Sequence, residues 1–406
     1  YFDLITGEMA KNVVSVDGTD YRFNDITGIA LNLEFVTEDG KNFWYEGGIK
    51  QGTEGRGKEV YDPSTDAWYW LDAVDNGKKA VNKDVYQESY AGIYADREDG
   101  TGKWVRYDEN GHMVKGEDYA NGGWYRFDET TGEMAAIVIP DGLSVTFFGA
   151  SGGEKPTIKS NKTIEIDGNH NYISFENVAF INTGSTYLIN EGNTSSLETL
   201  SFTDCTFDDY SRSIIRLKDN ASISIDNLII DNCVITNQGS DNYACFYWNN
   251  AAYSIANFIM SNTTVNTALH NVMDFRSSNT TNIEIENCTF YNVIGASRYF
   301  LDCQNIAPTI KLTNLIFAKA NTAVLAEGVW TSTSRGVRAN STPTISGVYF
   351  TADFVFGSNA FKPTYEYNNT SENLFTDPEN GNFTIKDSSF DGKNSAGDPR
   401  WYMSAE

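Results

Sequence analysis

The sequence predicts an all-β protein in two parts, an N-terminal β-hairpin repeat module followed by a right-handed parallel β-helix. Three observations lead there. One eight-residue phrase recurs at near-constant spacing from residue 173 to 317. Its apolar residues alternate with period two, and no segment carries sustained helical periodicity. Ahead of it, aromatic phrases recur with turn residues between them.

The module over residues 1–136 comes first in the chain. Its phrases are Tyr21-Arg22-Phe23-Asn24 … Thr27-Gly28, Trp68-Tyr69-Trp70-Leu71-Asp72 … Asn76-Gly77, Trp104-Val105-Arg106-Tyr107-Asp108 and Trp124-Tyr125-Arg126-Phe127-Asp128 … Thr131-Gly132-Glu133-Met134. Each reads as a short hairpin with too little area to bury alone, so neighbours must stack to make a core. Asn76-Gly77 and Asn110-Gly111 predict two-residue turns. Trp68, Trp70, Trp104 and Trp124 fit either that core or a ligand surface. A boundary is expected near Ala136, with no Pro/Ser-rich linker.

The β-helix is expected over 137–350. Its clearest phrase is Ile283-Glu284-Ile285-Glu286-Asn287-Cys288-Thr289-Phe290, with copies at 173–180, 200–207, 228–235, 258–265 and 310–317 and a degenerate one at 343–350. The marker position reads Asn177, Asp204, Asn232, Asn262, Asn287, Asn314, at successive spacings of 27, 28, 30, 25 and 27. Strands repeating every coil, with no helix between, stack at about 4.8 Å. Asn suits the marker because it tolerates a left-handed turn and its amide can bond the amide one coil away. Cys205, Cys233 and Cys288 share an interior column with Val178, Thr263 and Leu315. They read as small fillers, and the five cysteines suggest neither a disulfide framework nor a metal site. Residues 351–406 lose the period and are expected to cap the last coil, whose edge would otherwise be open.

The bulk numbers bound the partners. A net charge of −25 over 406 residues argues against nucleic acid and against an anionic membrane surface. No run of 18 or more apolar residues offers a membrane span. Aromatics reach 14%, with 23 Tyr and 8 Trp. That fits an extracellular sugar-handling protein, although β-propensity alone also enriches aromatics. The chain opens inside a repeat, so a mature fragment is expected. The halves differ in style, which is also compatible with a fusion.

The W-Y-x-F-D-x-x-T-G-x-M pattern at Trp124 to Met134, with a partial copy from Tyr1 to Met9, resembles the cell-wall-binding or glucan-binding repeats related to choline-binding repeats. The resemblance covers about a third of the chain and implies an anchoring or carbohydrate-binding module. In such modules, aromatic residues of neighbouring hairpins face a sugar or a choline group. The coil repeat and the Gly397-Asp398-Pro399-Arg400-Trp401 ending resemble pectate-lyase-like β-helices of the Bacteroidetes secreted type. That resemblance lies in the repeat, and no catalytic motif carries across.

A second strand per coil aligns by alternation. Leu188, Ile215, Phe246, Met273, Leu301 and Val324 form one inward column, and Asn190, Leu217, Trp248, Phe275, Cys303 and Ala326 another. The opposite parity then faces solvent: Ile189, Arg216, Tyr247, Asp274, Asp302, Leu325, with Glu191, Lys218, Asn249, Arg276, Gln304 and Glu327 beyond. Asp274 and Asp302 are expected on adjacent coils about 5 Å apart, able to share a Ca²⁺ or to act as an acid/base pair on a glycosidic bond. Lys218 and His270 are the chemically easier bases, since arginine has a pKa above about 12. Arg212, Arg216, Arg276 and Arg298 suit uronate carboxylates, and Tyr243 and Tyr247 suit sugar rings. The bland alternative is a solvated face laced with ion pairs, such as Asp274 with Arg276.

Three functions stay open. The favoured one is a secreted or cell-surface protein that binds polysaccharide or cell-wall glycan. The others are a lyase or hydrolase acting on an acidic polysaccharide, with Ca²⁺ as the cofactor a lyase would use, and a stiff adhesin-like stalk.

Overall fold

The computed structural model describes residues 1–406 except 3–5, 56, 88–101, 121–122, 150–154, 161, 192, 211, 218–220, 239–241, 296–297, 321–335, 338–340, 342, 355–364 and 404–406, together with the side chains of 123–124, 135–136, 160 and 237–238. The chain is all-β apart from one short α-helix and three 3₁₀ turns among the described residues. It divides into two compact units, Tyr1–Ala136 and Ile137–Glu406.

The first unit is built of antiparallel hairpins. Asn12–Val16 pairs Thr19–Phe23, Lys83–Gln87 pairs Lys103–Tyr107, and Gly116–Ala120 pairs Gly123–Phe127. A six-stranded sheet lies between them in sequence, in the order Glu34–Glu38, Lys41–Glu46, Lys78–Lys79, Ala67–Asp72, Gly57–Asp62, with Ile49–Lys50 off its path. A lone hairpin is marginal in water, so each leans on neighbours for its core. Trp44, Val60, Tyr69 and Leu71 make one such core. Trp70, Ala80, Val85, Val105, Tyr107 and Met113 make another, with Trp68 packed against it. The tryptophans therefore split by role: Trp70 is buried, whereas Trp104 is 48% exposed. The side chain of Trp124 lies outside what is described.

The repeat motif has a local cause. Asp128 Oδ1 accepts from the backbone N–H of Thr130 (2.9 Å) and Thr131 (2.7 Å), and Gly132 N donates back to the Asp128 carbonyl (2.9 Å). Asn24 does the same for Ile26, Thr27 and Gly28. Side-chain turns of this kind suit Asp and Asn, and the closing residue needs a left-handed backbone. Gly132 has φ 64°, and a Cβ there would stand 2.4 Å from Met113 Sδ. Gly28 meets Met9 in the same way. The methionine of one repeat thus packs on the glycine of the next, which explains why both recur. Gly132→Ala is expected to cost about 2 kcal/mol, the left-handed penalty plus displacement of Met113. Gly7→Ala, at φ 70° with open space around it, should lose only the conformational part. Thermal melts of the two variants compare them directly.

Neither predicted two-residue turn is found. Asn110-Gly111 lies in a longer loop that Asp108 Oδ1 closes through Asn110 N and His112 N, both at 2.8 Å. Asn76 ends a 3₁₀ turn, Ala73–Asp75, rather than sitting at a hairpin tip. In both cases an aspartate upstream organises the loop, and Asn-Gly only supplies its left-handed exit.

The second unit is a parallel β-solenoid. Its first sheet stacks Val145–Phe148, Gly168–Glu176, Ser195–Thr203, Ile223–Asp231, Tyr253–Ser261, Asn282–Glu286, Thr309–Thr313 and Thr344–Ser346. Its second stacks the strands that follow the marker, from Thr157–Ser160 to Tyr365–Tyr367. A third contains Thr163–Ile166, Ile189–Glu191, Ile215–Leu217, Phe246–Tyr247, Met273–Asp274 and Leu301–Asp302. Rings that lie far apart in sequence stack in the interior: Phe147 on Phe175 at 4.8 Å, Phe175 on Phe202 at 5.0 Å, Trp248 on Phe275 at 4.0 Å. The five cysteines are free and buried, and Cys205, Cys233 and Cys288 stand in the filler positions expected of them. Burial raises the thiol pKa of Cys245 to about 12, which leaves that thiol an inert filler.

The marker residues behave as their chemistry requires. All six have positive φ, between 49° and 55°. Asn314 Nδ2 donates to Asn287 Oδ1 at 3.0 Å, and Asn287 Nδ2 to Asn262 Oδ1 at 3.3 Å. Asn232 reaches Asp204 at 3.4 Å, while Asn262 turns instead to Asp231 Oδ1 at 2.8 Å. In the degenerate copy Gly347 holds the place at φ 64°. The marker ladder is thus a turn and a vertical row of amide bonds at once.

The tail does more than close an end. Tyr365–Tyr367 adds the last strand to the second sheet, as a cap would. The chain then forms the hairpin Phe375–Asp377 with Asn382–Ile385 and returns along the outer face of that sheet. Gly397 N bonds the Asn314 carbonyl (2.8 Å), Asp398 N bonds Thr289 Oγ1 (3.0 Å), and Arg400 Nη2 reaches the Asn232 carbonyl (2.8 Å). A separate core holds this strap: Tyr291, Ile316 and Ala318 of the sheet with Leu374, Phe375, Phe383, Ile385 and Phe390 of the tail.

Candidate functional site

The third sheet of the solenoid carries the predicted row, with one register corrected. The structure pairs Ile189 with Ile215 and Asn190 with Arg216. Ile189 and Glu191 are therefore buried and Asn190 faces outward, the reverse of the expectation for this coil. Leu188 and Ile189 are both apolar, so alternation could not choose between them. The deciding residue is Glu191. It is 1% exposed because its carboxylate accepts from the backbone N–H of Ile166 and Asn193, each at 2.7 Å. A buried carboxylate with backbone donors is stable where parity alone would forbid it.

The next three coils follow the predicted register, Arg216 on Tyr247, Tyr247 on Asp274, Asp274 on Asp302, while the last, with Val324 and Ala326, lies outside the described residues. Ile215, Phe246, Met273 and Leu301 are buried beneath them. The aspartates do stand on adjacent coils, but both are 0% exposed instead of facing solvent. Arg276 Nε lies 2.7 Å from Asp274 Oδ1 and 3.9 Å from Asp302 Oδ2. Asp302 Oδ1 also accepts from Gly336 N at 3.0 Å. Burial works against the charge on Arg276, but its bond to Asp274 and the field of both carboxylates prevail and raise its pKa. A guanidinium occupies the space between these carboxylates, so the pair does not fit a Ca²⁺, which needs six to eight oxygen ligands. Among the described residues no group of three or more His, Cys, Asp or Glu could hold a metal.

The other predicted residues divide in two. Arg212, Arg216, Tyr243 and Tyr247 come together. The Arg212 guanidinium lies 5.3 Å from the ring centres of both Tyr187 and Tyr243, and its Nη1 donates to Tyr187 Oη at 3.2 Å. Arg216 lies 5.5 Å from Tyr187 and 5.8 Å from Tyr247, and donates to Asn190 Oδ1 at 3.3 Å. The bond to Tyr187 raises the Arg212 pKa. Tyr187 was missed by the sequence reading, because the slipped register took it away from the arginines. His270 and Arg298 are half-buried on the corners that lead into the third sheet, and both have partners. Lys218, Leu325 and Glu327 lie outside the described residues.

The first unit holds a second candidate, a pocket of about 210 Å³ lined by Asp84, Trp104, Val105, Tyr125, Phe127 and Met134. Its lining is mainly apolar. Tyr125 and Phe127 lie 6.5 Å apart between ring centres, and Tyr86 stands 5.4 Å from Trp104. At the rim, Asp84 is bonded to Arg106, which also holds Asp118, both at 2.8 Å. Tyr125, Phe127 and Met134 belong to the repeat pattern, so the signal was present in the sequence. Only the fold shows that they converge with Trp104 of the preceding hairpin.

Comparison with known proteins gives two family matches. Residues 283–401 match a domain of unknown function, DUF5123. That span takes in the last coils and the returning strap. Residues 100–137 match the choline-binding repeat. Among solved structures the chain is similar to choline binding protein F from Streptococcus pneumoniae, crystallised in the presence of a peptidoglycan analogue, at 22% identity over 32% of this chain and 36% of that one, TM-score 0.22. It is also similar to the truncated alternansucrase from Leuconostoc mesenteroides (19% identity, 36% and 10% of the two chains, TM-score 0.19). A third is the modular autolysin LytC from Streptococcus pneumoniae in complex with a synthetic peptidoglycan ligand (14% identity, 44% and 56%, TM-score 0.12). The match to choline binding protein F thus spans only about a third of that protein. No curated protein matches the chain. Residues 100–137 of the first unit thus match the choline-binding repeat, and the second unit is a β-solenoid whose last coils and strap match a domain of unknown function.

Proposed function

We propose that this is a secreted or cell-surface protein that attaches to cell-wall glycan through its first unit. The observation that carries the reading is the pocket between Trp104, Tyr125, Phe127 and Met134. Five of its six lining residues fall within the choline-binding repeat match at 100–137. A quaternary ammonium group carries charge but no N–H to donate. Its best receptor is a set of aromatic faces in an apolar recess, each worth about 0.5–2 kcal/mol. The carboxylate of Asp84 at the rim adds a favourable field.

The second unit fits binding better than catalysis. Its carboxylate pair is buried and held by Arg276, so neither acid is open to a substrate. Calcium-dependent lyase chemistry and glycosidic hydrolysis at Asp274 and Asp302 are not part of this reading.

The test is retention of the whole chain on a choline-substituted matrix and elution by free choline. Trp104→Ala should lower choline affinity about tenfold or more while leaving the melting temperature nearly unchanged, because Trp104 is half-exposed. Passage through the matrix without delay, or retention that Trp104→Ala does not alter, would reject the proposal.

A further inference from the structure

We infer that Arg212 and Arg216 form a receiving site on the second unit for the anionic group of an acidic saccharide, either a sugar carboxylate or a sulfate ester. The argument begins with charge. The chain carries 55 acidic residues and 30 lysines and arginines. Arginines in such a chain are expected to find carboxylates, and most described ones do: Arg22 with Glu38, Arg106 with Asp84 and Asp118, Arg126 with Glu117, Arg276 with Asp274, Arg400 with Asp398. Arg212 and Arg216 meet no carboxylate among the described residues. They lie on tyrosine rings instead.

The two guanidiniums also share a neighbour. Both rest within 5.5 Å of the centre of one ring, that of Tyr187. Two cations beside one ring repel, and no described carboxylate neutralises them. A bound oxyanion would remove that repulsion. The donors for it are present. Each guanidinium has five N–H groups, and each of these two gives one hydrogen bond, Arg212 to Tyr187 and Arg216 to Asn190. The planar fork suits a carboxylate or a sulfate, and the ring contacts hold it in place before a ligand arrives.

The surroundings select a saccharide. Tyr243 and Tyr247, on the coil after the arginines, are half-buried and offer partial ring faces to the C–H face of a sugar. A long polyanion such as nucleic acid would meet the repulsion of a chain at −25. A single anionic group on a short saccharide would not have to cross so much of that field. This site stands apart from the choline reading, since it rests on residues of the other unit.

The experiment is calorimetric titration of the whole chain, held in saturating choline so that the first unit is silent. The probes are a trigalacturonate, a sulfated disaccharide, the neutral galactotriose and inorganic sulfate. One of the two acidic saccharides should bind, more weakly as salt rises, and the neutral one should not. Which acidic probe binds tells carboxylate from sulfate ester. Arg212→Gln with Arg216→Gln should lower that affinity about tenfold or more at an unchanged melting temperature. If that double variant melts early, Arg212→Lys with Arg216→Lys decides. It keeps the charge but loses the fork, and should fall between wild type and no binding. Binding of neither acidic saccharide, equal binding of galactotriose, inorganic sulfate binding as tightly as either saccharide, or affinity unmoved in a folded variant would each overturn the assignment. So would preference for a short nucleic acid over both acidic saccharides.

Discussion

Arg276→Ala is expected to destabilise the second unit by about 3–5 kcal/mol, the usual cost of removing one partner from a buried charge cluster. Asp274 and Asp302 are both 0% exposed, and Arg276 is the cation that lies within 4 Å of each. Without it, two carboxylates one coil apart would have to ionise in a dry interior beside each other, or take up a proton. Arg276→Lys should recover only part, because an ammonium has no fork with which to span the two acids. Adding Asp274→Asn and Asp302→Asn to Arg276→Ala should recover most of the loss, because the amides carry no charge. Urea unfolding, followed by near-ultraviolet circular dichroism, measures all of these. A midpoint for Arg276→Ala within error of wild type would mean that the triad is an incidental surface pairing.

Arg400→Ala is expected to loosen the strap, by about 1–3 kcal/mol at neutral pH once its partial exposure is allowed for. Arg400 holds the Asn232 carbonyl (2.8 Å), Asn232 Oδ1 (2.7 Å) and the Cys233 carbonyl (3.3 Å), and it faces Asp398 Oδ2 at 3.2 Å. Asp398 is 1% exposed. Burial raises its pKa above the usual carboxylate value, even against Arg400 and the Thr264 hydroxyl, which lower it. The sign follows from that direction. A raised carboxylate pKa means that the folded form binds the proton more tightly than the unfolded chain does. This residue's contribution is therefore most favourable below the unfolded pKa of about 3.9, and it declines as pH rises through the folded value. Removing Arg400 removes a cause that lowers the pKa, so it should move that decline to higher pH and deepen it. The variant should lose more stability relative to wild type at pH 7 than at pH 4, with hydrogen exchange rising first in Phe375–Ile385. An equal loss at both values would show that Arg400 acts through its carbonyl contacts and not through Asp398.

What the sequence revealed and what it hid have separable causes. The solenoid was legible because each coil repeats one local requirement, a left-handed residue after an alternating apolar pair. Asn177 through Asn314 display that requirement openly. The inward columns were legible wherever alternation was clean, as at Phe246, Met273 and Leu301. At Leu188-Ile189 two apolar neighbours left the parity undecided, and Glu191 was buried by backbone donors that no local pattern announces. The burial of Asp274 and Asp302 was hidden for a related reason. A carboxylate on the outer parity of a strand reads as exposed unless its cation is known to lie over it. Arg276, two residues downstream of Asp274, was read as a ligand for uronate carboxylates, and its pairing with Asp274 only as the bland alternative. The strap was hidden because its partners are distant. Asp398 meets Thr264, and Arg400 meets Asn232, 168 residues away. In the first unit the repeat was visible, but Trp104 and Tyr125 belong to different hairpins, and only their stacking makes a pocket.

A crystal of the whole chain soaked in choline tests the central claim most directly, namely that the first unit is a receptor for a quaternary ammonium group. The account predicts density for the trimethylammonium head between the Trp104, Tyr125 and Phe127 rings, with Met134 below it. Choline density elsewhere on the molecule with this recess left empty at saturating ligand would contradict it.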